Sequence, residues 1–209
     1  APMTEQIPGR RIFLASFITL IAAGVGFAVR GGILREWGNQ FGFTQLELGT
    51  ITGGGFVGFG LVIFAASLIT DRVGYKALLR LAFVLHVLSA VVTLAATPTF
   101  NAFGQEATYW CLYVGMFMFA VANGLCEAVI NPLAATLYPR QKTHYLNILH
   151  AGWPGGLILG GLLGWFIVGR VPWEVPMGLF LVPVVIYGVM IRGARFPISE
   201  ARAAGGNYG

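Results

Sequence analysis

Residues 108–138 read TYWCLYVGMFMFAVANGLCEAVINPLAATLY, a run whose single charged side chain is Glu127, with no other charge between Glu106 and Arg140. Such a run is longer than the roughly 20 apolar residues an α-helix needs to cross about 30 Å of hydrocarbon. At about 1.5 Å per residue, Glu127 stands roughly 27 Å from Tyr109 and roughly 16 Å from Tyr138. That is too deep to reach either surface easily. Acidic side chains at such depth are costly and mark substrate or ion paths, the plainer alternative being a charge neutralised by a structural partner.

The rest of the chain repeats this pattern. Of its 209 residues 56% are hydrophobic and 10% charged, where soluble domains carry roughly a quarter charged residues; the mean hydropathy is +0.76. Apolar spans are expected at 11–36, 47–70, 77–97, 108–138, 143–169 and 174–192, joined by connectors too short for a soluble domain. A β-barrel would show ten-residue alternation, which is absent. The fold class is therefore an all-α membrane protein, a six-helix transmembrane bundle within residues 1–192. The apolar stretch after Arg10 and Arg11 lacks a small-residue cleavage site and reads as a retained first helix. Cys111 and Cys126 fall in one span, fifteen residues apart, and read as packing residues rather than a disulfide or metal framework.

The net charge of +5 comes from basic residues scattered singly between apolar runs. They build no stripe of the kind that binds nucleic acid; they report topology instead. With both termini in the cytoplasm, Arg10, Arg11, Arg72, Lys76, Arg80, Arg140, Lys142, Arg192, Arg195 and Arg202 fall inside and only Arg35 and Arg170 outside. That bias predicts a multi-pass protein of the cell membrane, inner or plasma, with N- and C-termini cytoplasmic. Trp37, Trp110 and Trp173 would then sit at the outer interface.

Asn123, Glu127 and Asn131 recur every four residues and share one helix face, with Pro132 able to kink the helix beside them. Small neighbours at 122, 124, 128 and 134 leave room for a cavity, although interhelical hydrogen bonding could also explain the asparagines. Arg30 either snorkels to the outer interface or, lying deeper, pairs with Glu127 or a substrate anion. Both charges fall on the first helix of a three-helix set at similar depth, the match that two three-helix repeats with a site at their interface would produce. Asn147, His150 and Trp153, spaced by three before Pro154, offer a stacking and hydrogen-bonding wall for a polyol, or simple helix bridging. His86 reads as a satisfied core histidine. Glycines cluster at 53, 54, 55, 58 and 60 and at 152, 155, 156, 160, 161 and 164, where Gly156, Gly160 and Gly164 would let two backbones approach closely, either as tight bundle packing or as sliding faces of a rocking bundle.

No G-x-S-x-G or H-E-x-x-H element occurs, and Asn131-Pro132 has no second copy such as a paired half-helix channel needs. An enzyme is not expected, nor any cofactor or metal.

The stretch Ser67-Leu-Ile-Thr-Asp71-Arg72-Val-Gly74-Tyr75-Lys76 resembles G-x-x-x-D-R-x-G-R-R/K, the signature between helices two and three of the major facilitator superfamily. Ser67 stands for the first glycine and Tyr75 for a basic residue. The resemblance implies a gating loop of Asp71, Arg72, Gly74 and Lys76, with Asp71 helping to hold a cytoplasmic gate. Gly124-Leu-Cys-Glu127-Ala-Val-Ile-Asn131-Pro132, followed by Leu146-Asn147, resembles the fucose:proton symporter branch, which implies a Glu127 that takes part in proton coupling. The branch's helix-one acid falls at Gly31 and its helix-five cavity asparagine at Trp153.

What the resemblance implies is the N-terminal half of a 12-helix fold that alternates access to a midplane site. Residues 193–209 would open a truncated cytoplasmic central loop. The expected function is secondary transport of a small polar solute, sugar-like or an organic anion, with protons as candidate coupling ion. Glu127, Arg30, Asn123, Asn131, Asn147, His150 and Trp153 would line the path. Expected partners are the lipid bilayer, the solute, and a C-terminal six-helix half or another membrane subunit. Two other readings stay open: a six-helix assembly subunit, marked by Glu127 and Arg30 buried against each other in a closed bundle, and a half-size carrier working as a homodimer.

Overall fold

A computed structural model describes residues 9–198. The predicted loop residues from 199 onward, with Arg202, lie outside the described residues. Within them the elements are α1 (Gly9–Gly32), α2 (Leu34–Phe41), α3 (Gln45–Val73), α4 (Tyr75–Leu94), α5 (Ala96–Leu137), α6 (Lys142–His150), α7 (Gly152–Ile167), α8 (Glu174–Leu179) and α9 (Leu181–Ile191). Among the described residues six spans are long and apolar enough to cross a membrane: α1, α3, α4, α5, α6 with α7, and α8 with α9.

Local chemistry sets the joints. Thr44 and Glu47 form a reciprocal capping box that starts α3: the Thr44 amide donates to Glu47 Oε2 at 2.7 Å, and the Glu47 amide donates to Thr44 Oγ1 at 3.3 Å. At its other end, α3 turns into α4 through Gly74 alone, at φ 90° and ψ 148°. A side chain there would be strained, so the glycine of the signature is a conformational requirement. The expected connector 98–106 is helical instead: α5 begins at Ala96 and bends where Gly104 adopts φ 80°. The spans expected to be single helices at 143–169 and 174–192 are each divided, before Pro154 and before Pro183. Each proline falls in the first turn of the helix that follows, where no amide hydrogen is needed. Pro132 leaves α5 continuous.

The packing shows the internal repeat. α1 lies along α7 and α9, and α5 lies along α3 and α4; exchanging the first three spans for the last three turns one set into the other. α1 and α5 form the centre, each with 67% of its apolar 18-residue stretch buried, against 22% for those of α3 and of α6 with α7. The tightest seam joins α1 to α7. A Cβ on Gly160 would stand 2.7 Å from Ala28 Cβ, and one on Gly152 would stand 2.9 Å from Phe17 O. Gly24 and Gly156 face backbone atoms more closely still. Gly164, expected in this seam, meets only Val168, at 3.8 Å, and Gly152 takes its place.

Arg11 has a second task beyond topology: its guanidinium donates to Met190 O at 3.0 Å and Arg192 O at 3.2 Å, closing the carbonyl end of α9. Trp37 and Trp173 are packed inside the bundle rather than presented on its surface. They are 1% and 4% exposed and meet edge to face at 5.8 Å, with Trp173 Nε1 donating to Gln40 Oε1. Trp110, by contrast, is 55% exposed.

Candidate functional site

The polar face of α5 opens onto a cavity of ≈260 Å³. Leu20, Ala23 and Phe27 of α1, Phe56 and Phe59 of α3, and Trp153 of α7 give it largely apolar, aromatic walls. Its polar groups are few: Asn123, Cys126 and Glu127 from α5, and His150 from the end of α6. Such a balance of aromatic surface and a few polar groups is what a small-molecule site presents. Beside it Gly124 lets α3 pack closely on α5, since an added Cβ would stand 3.0 Å from Phe59 O.

Glu127 also borders a second cavity of ≈410 Å³ between α3 and α5, with Ser67, Thr70, Asp71 and Asn131 in its lining. Asn131 Nδ2 donates to Glu127 Oε2 and to Glu127 O, both at 3.1 Å. The carboxylate is thus held from one side by the asparagine one turn away. Asp71 and Thr70 continue into a third cavity of ≈390 Å³, which Gly74, Lys76, Arg80 and Arg195 line as well. A row of polar openings therefore runs from the aromatic cavity past Glu127 to the α3–α4 joint. Of the signature residues, Asp71, Gly74 and Lys76 face this last opening, whereas Arg72 is exposed on the final turn of α3 and outside the lining.

Two expected cavity residues lie elsewhere. Asn147 is exposed and outside these cavities, although His150, one turn on, is inside. Arg30 neither snorkels nor meets Glu127. It is 1% exposed, with its guanidinium carbon 3.8 Å from the centre of the Phe119 ring and 4.8 Å from that of Phe180. Nη2 donates to Ser89 Oγ at 3.2 Å and Nη1 to Gly26 O at 3.4 Å. Among the described residues its partners are thus ring faces, a hydroxyl and a carbonyl. Arginine suits such a niche because its delocalised, weakly hydrated charge stacks on aromatic faces.

His86 is the satisfied core residue expected: fully buried, with both ring nitrogens partnered. Its partners were not foreseen. Asn123 Oδ1 lies 2.9 Å from Nε2, and the Tyr187 hydroxyl 2.7 Å from Nδ1. The link from α4 to α9 spans 101 residues and leaves no local sequence signal. Phe27, Phe56 and Phe59 of the cavity wall were also missed, since an aromatic residue in an apolar helix looks the same whether it packs or lines.

Comparison with known proteins agrees with this architecture. The chain is 25% identical over 142 residues to the L-fucose-proton symporter of Escherichia coli (strain K12), an alignment covering 67% of this chain and 31% of that protein. The chain thus spans less than a third of the relative's length in the matched region. Residues 7–206, nearly the whole chain, match the Major Facilitator Superfamily, and with six apolar spans in two exchangeable sets of three, the chain belongs to that superfamily.

Proposed function

We infer that this chain is the N-terminal six-helix half of a secondary carrier that moves a small, neutral, sugar-like solute by alternating access, coupled to protons. The observation that carries the reading is Glu127: a carboxylate in the middle of a membrane-length helix, bordering an aromatic cavity on one side and a polar opening on the other. Aromatic faces stack on the C–H faces of a sugar ring, while Asn123, Glu127 and His150 supply hydrogen bonds to hydroxyls. A neutral solute is favoured over an organic anion because Arg30 lies outside the cavity lining. The similarity to a fucose-proton symporter supports the same class.

The bias of basic residues supports an orientation with the Asp71–Lys76 joint and both termini on the cytoplasmic side of the cell membrane. Asp71, Gly74 and Lys76 then form the gating joint, and a second six-helix half closes the open side of the cavity. The assembly-subunit reading asked for Glu127 and Arg30 in contact, and Glu127 bonds Asn131 instead. The test is uptake by the full-length protein in proteoliposomes under an imposed proton gradient. Glu127→Gln should abolish gradient-driven accumulation; uptake that is unchanged and insensitive to pH would reject the role.

A further inference from the structure

Behind the cavity, a chain of hydrogen bonds leads from the solute site into the core. Asn123 lines the cavity yet is only 2% exposed, and its carbonyl end is committed to His86. His86 and Tyr187 are fully buried and outside the lining. A neutral imidazole carries one proton, so one ring nitrogen donates and the other accepts. With Asn123 Oδ1 at 2.9 Å, Nε2–H is the donor; Nδ1 then accepts from the Tyr187 hydroxyl at 2.7 Å. Ser89 anchors this part of α4, donating to His86 O at 2.8 Å while accepting from Arg30. Every polar atom of the Asn123, His86 and Tyr187 side chains is then engaged except Asn123 Nδ2, which is buried without a partner. A buried amide donor left unbonded is costly, so its retention beside a cavity points to a ligand.

We propose that His86 and Tyr187 are positioning residues for the solute site: they pin Asn123 so that the cavity offers an NH2 donor and selects solutes bringing an acceptor oxygen to that point. The opposite tautomer of His86, with the amide turned over, would offer an acceptor instead. The polarity of the site is thus set two residues away from the solute. The proposal rests on the carrier reading above and adds to it a determinant of specificity.

The test uses the full-length protein in proteoliposomes with a panel of neutral monosaccharides and their deoxy analogues. His86→Phe should raise the half-saturation concentration about tenfold with maximal rate changed by no more than about twofold, the loss of roughly one hydrogen bond to the solute. His86→Gln, whose amide nitrogen takes the place of Nε2, should restore affinity, whereas His86→Asn, which replaces the Nδ1 side, should not. Should His86→Phe fail to fold, Tyr187→Phe keeps the ring and frees the tautomer, and a raised half-saturation concentration is again expected. Wild-type affinity in His86→Asn, or Gln no better than Phe, would overturn the proposal. A second readout needs no solute: nitrogen-15 spectra of histidine should show His86 protonated at Nε2 and bare at Nδ1, in the wild type and in Glu127→Gln alike. A proton on Nδ1, or on both nitrogens, would also overturn it. Wild-type uptake in Glu127→Gln would remove the proton-coupled reading while leaving the His86 results standing, so the two failures are separable.

Discussion

Glu127 and Arg30 each stand on the first helix of a three-helix set, and they are accommodated in opposite ways. Glu127 is partly exposed, shared between two cavities and bonded to Asn131 on its own helix. Arg30 is sealed between α1, α4, α5 and the α8–α9 joint, with two aromatic rings over its charge. Access to water meets the cost of the first charge; ring quadrupoles and local dipoles meet that of the second. A charge reached by water can gain and lose a proton or a ligand as a cycle proceeds. One packed under rings at 3.8 Å is fixed in place, a structural element in its bundle.

The comparison can be broken by separating activity from stability. The largest effect should come from Glu127→Gln: transport falls by two orders of magnitude or more, about 3 kcal/mol of lost function, while the thermal midpoint in detergent stays near that of the wild type. Arg30→Ala should do the reverse, lowering stability by about 3 kcal/mol through a void and lost ring contacts. Its thermal midpoint should drop visibly, and a midpoint equal to the wild type would mean the niche is not structural. Phe119→Leu removes the nearer ring and should cost about 2 kcal/mol, measured in the same way; loss of transport without loss of stability there would place Arg30 on the solute's side after all. Arg11→Met sharpens the contrast from the water boundary. Releasing the end of α9 should cost only about 0.5 kcal/mol, too little to affect uptake.

The membrane fold could be read in advance because its cause is local. Apolar runs of spanning length, the basic bias and the Asp71–Lys76 signature each need only neighbouring residues. The four-residue spacing likewise placed Asn123, Glu127 and Asn131 on one face, where they line the openings. Arg30 was misplaced because a helix pattern gives no clue to which neighbour each side of α1 meets, and α1 has cavity wall on one side and α9 on another. Asn147 shares the spacing of His150 and Trp153, but the row it belongs to runs past the end of the cavity. The joints at Gly104 and Ala151 escaped notice because glycine and proline allow a bend without locating it.

The contact between α1 and α7 has a consequence for motion. With Gly24, Gly152, Gly156 and Gly160 bringing the two backbones close together, little side-chain volume lies between these helices to yield if they slide. They behave as one rigid plank. Phe27, carried by one, and Trp153, carried by the other, meet edge to face at 6.3 Å. On the carrier reading proposed above, the corner of the cavity they frame would gauge the width of the solute, and opening and closing of the path would fall to the contacts around it.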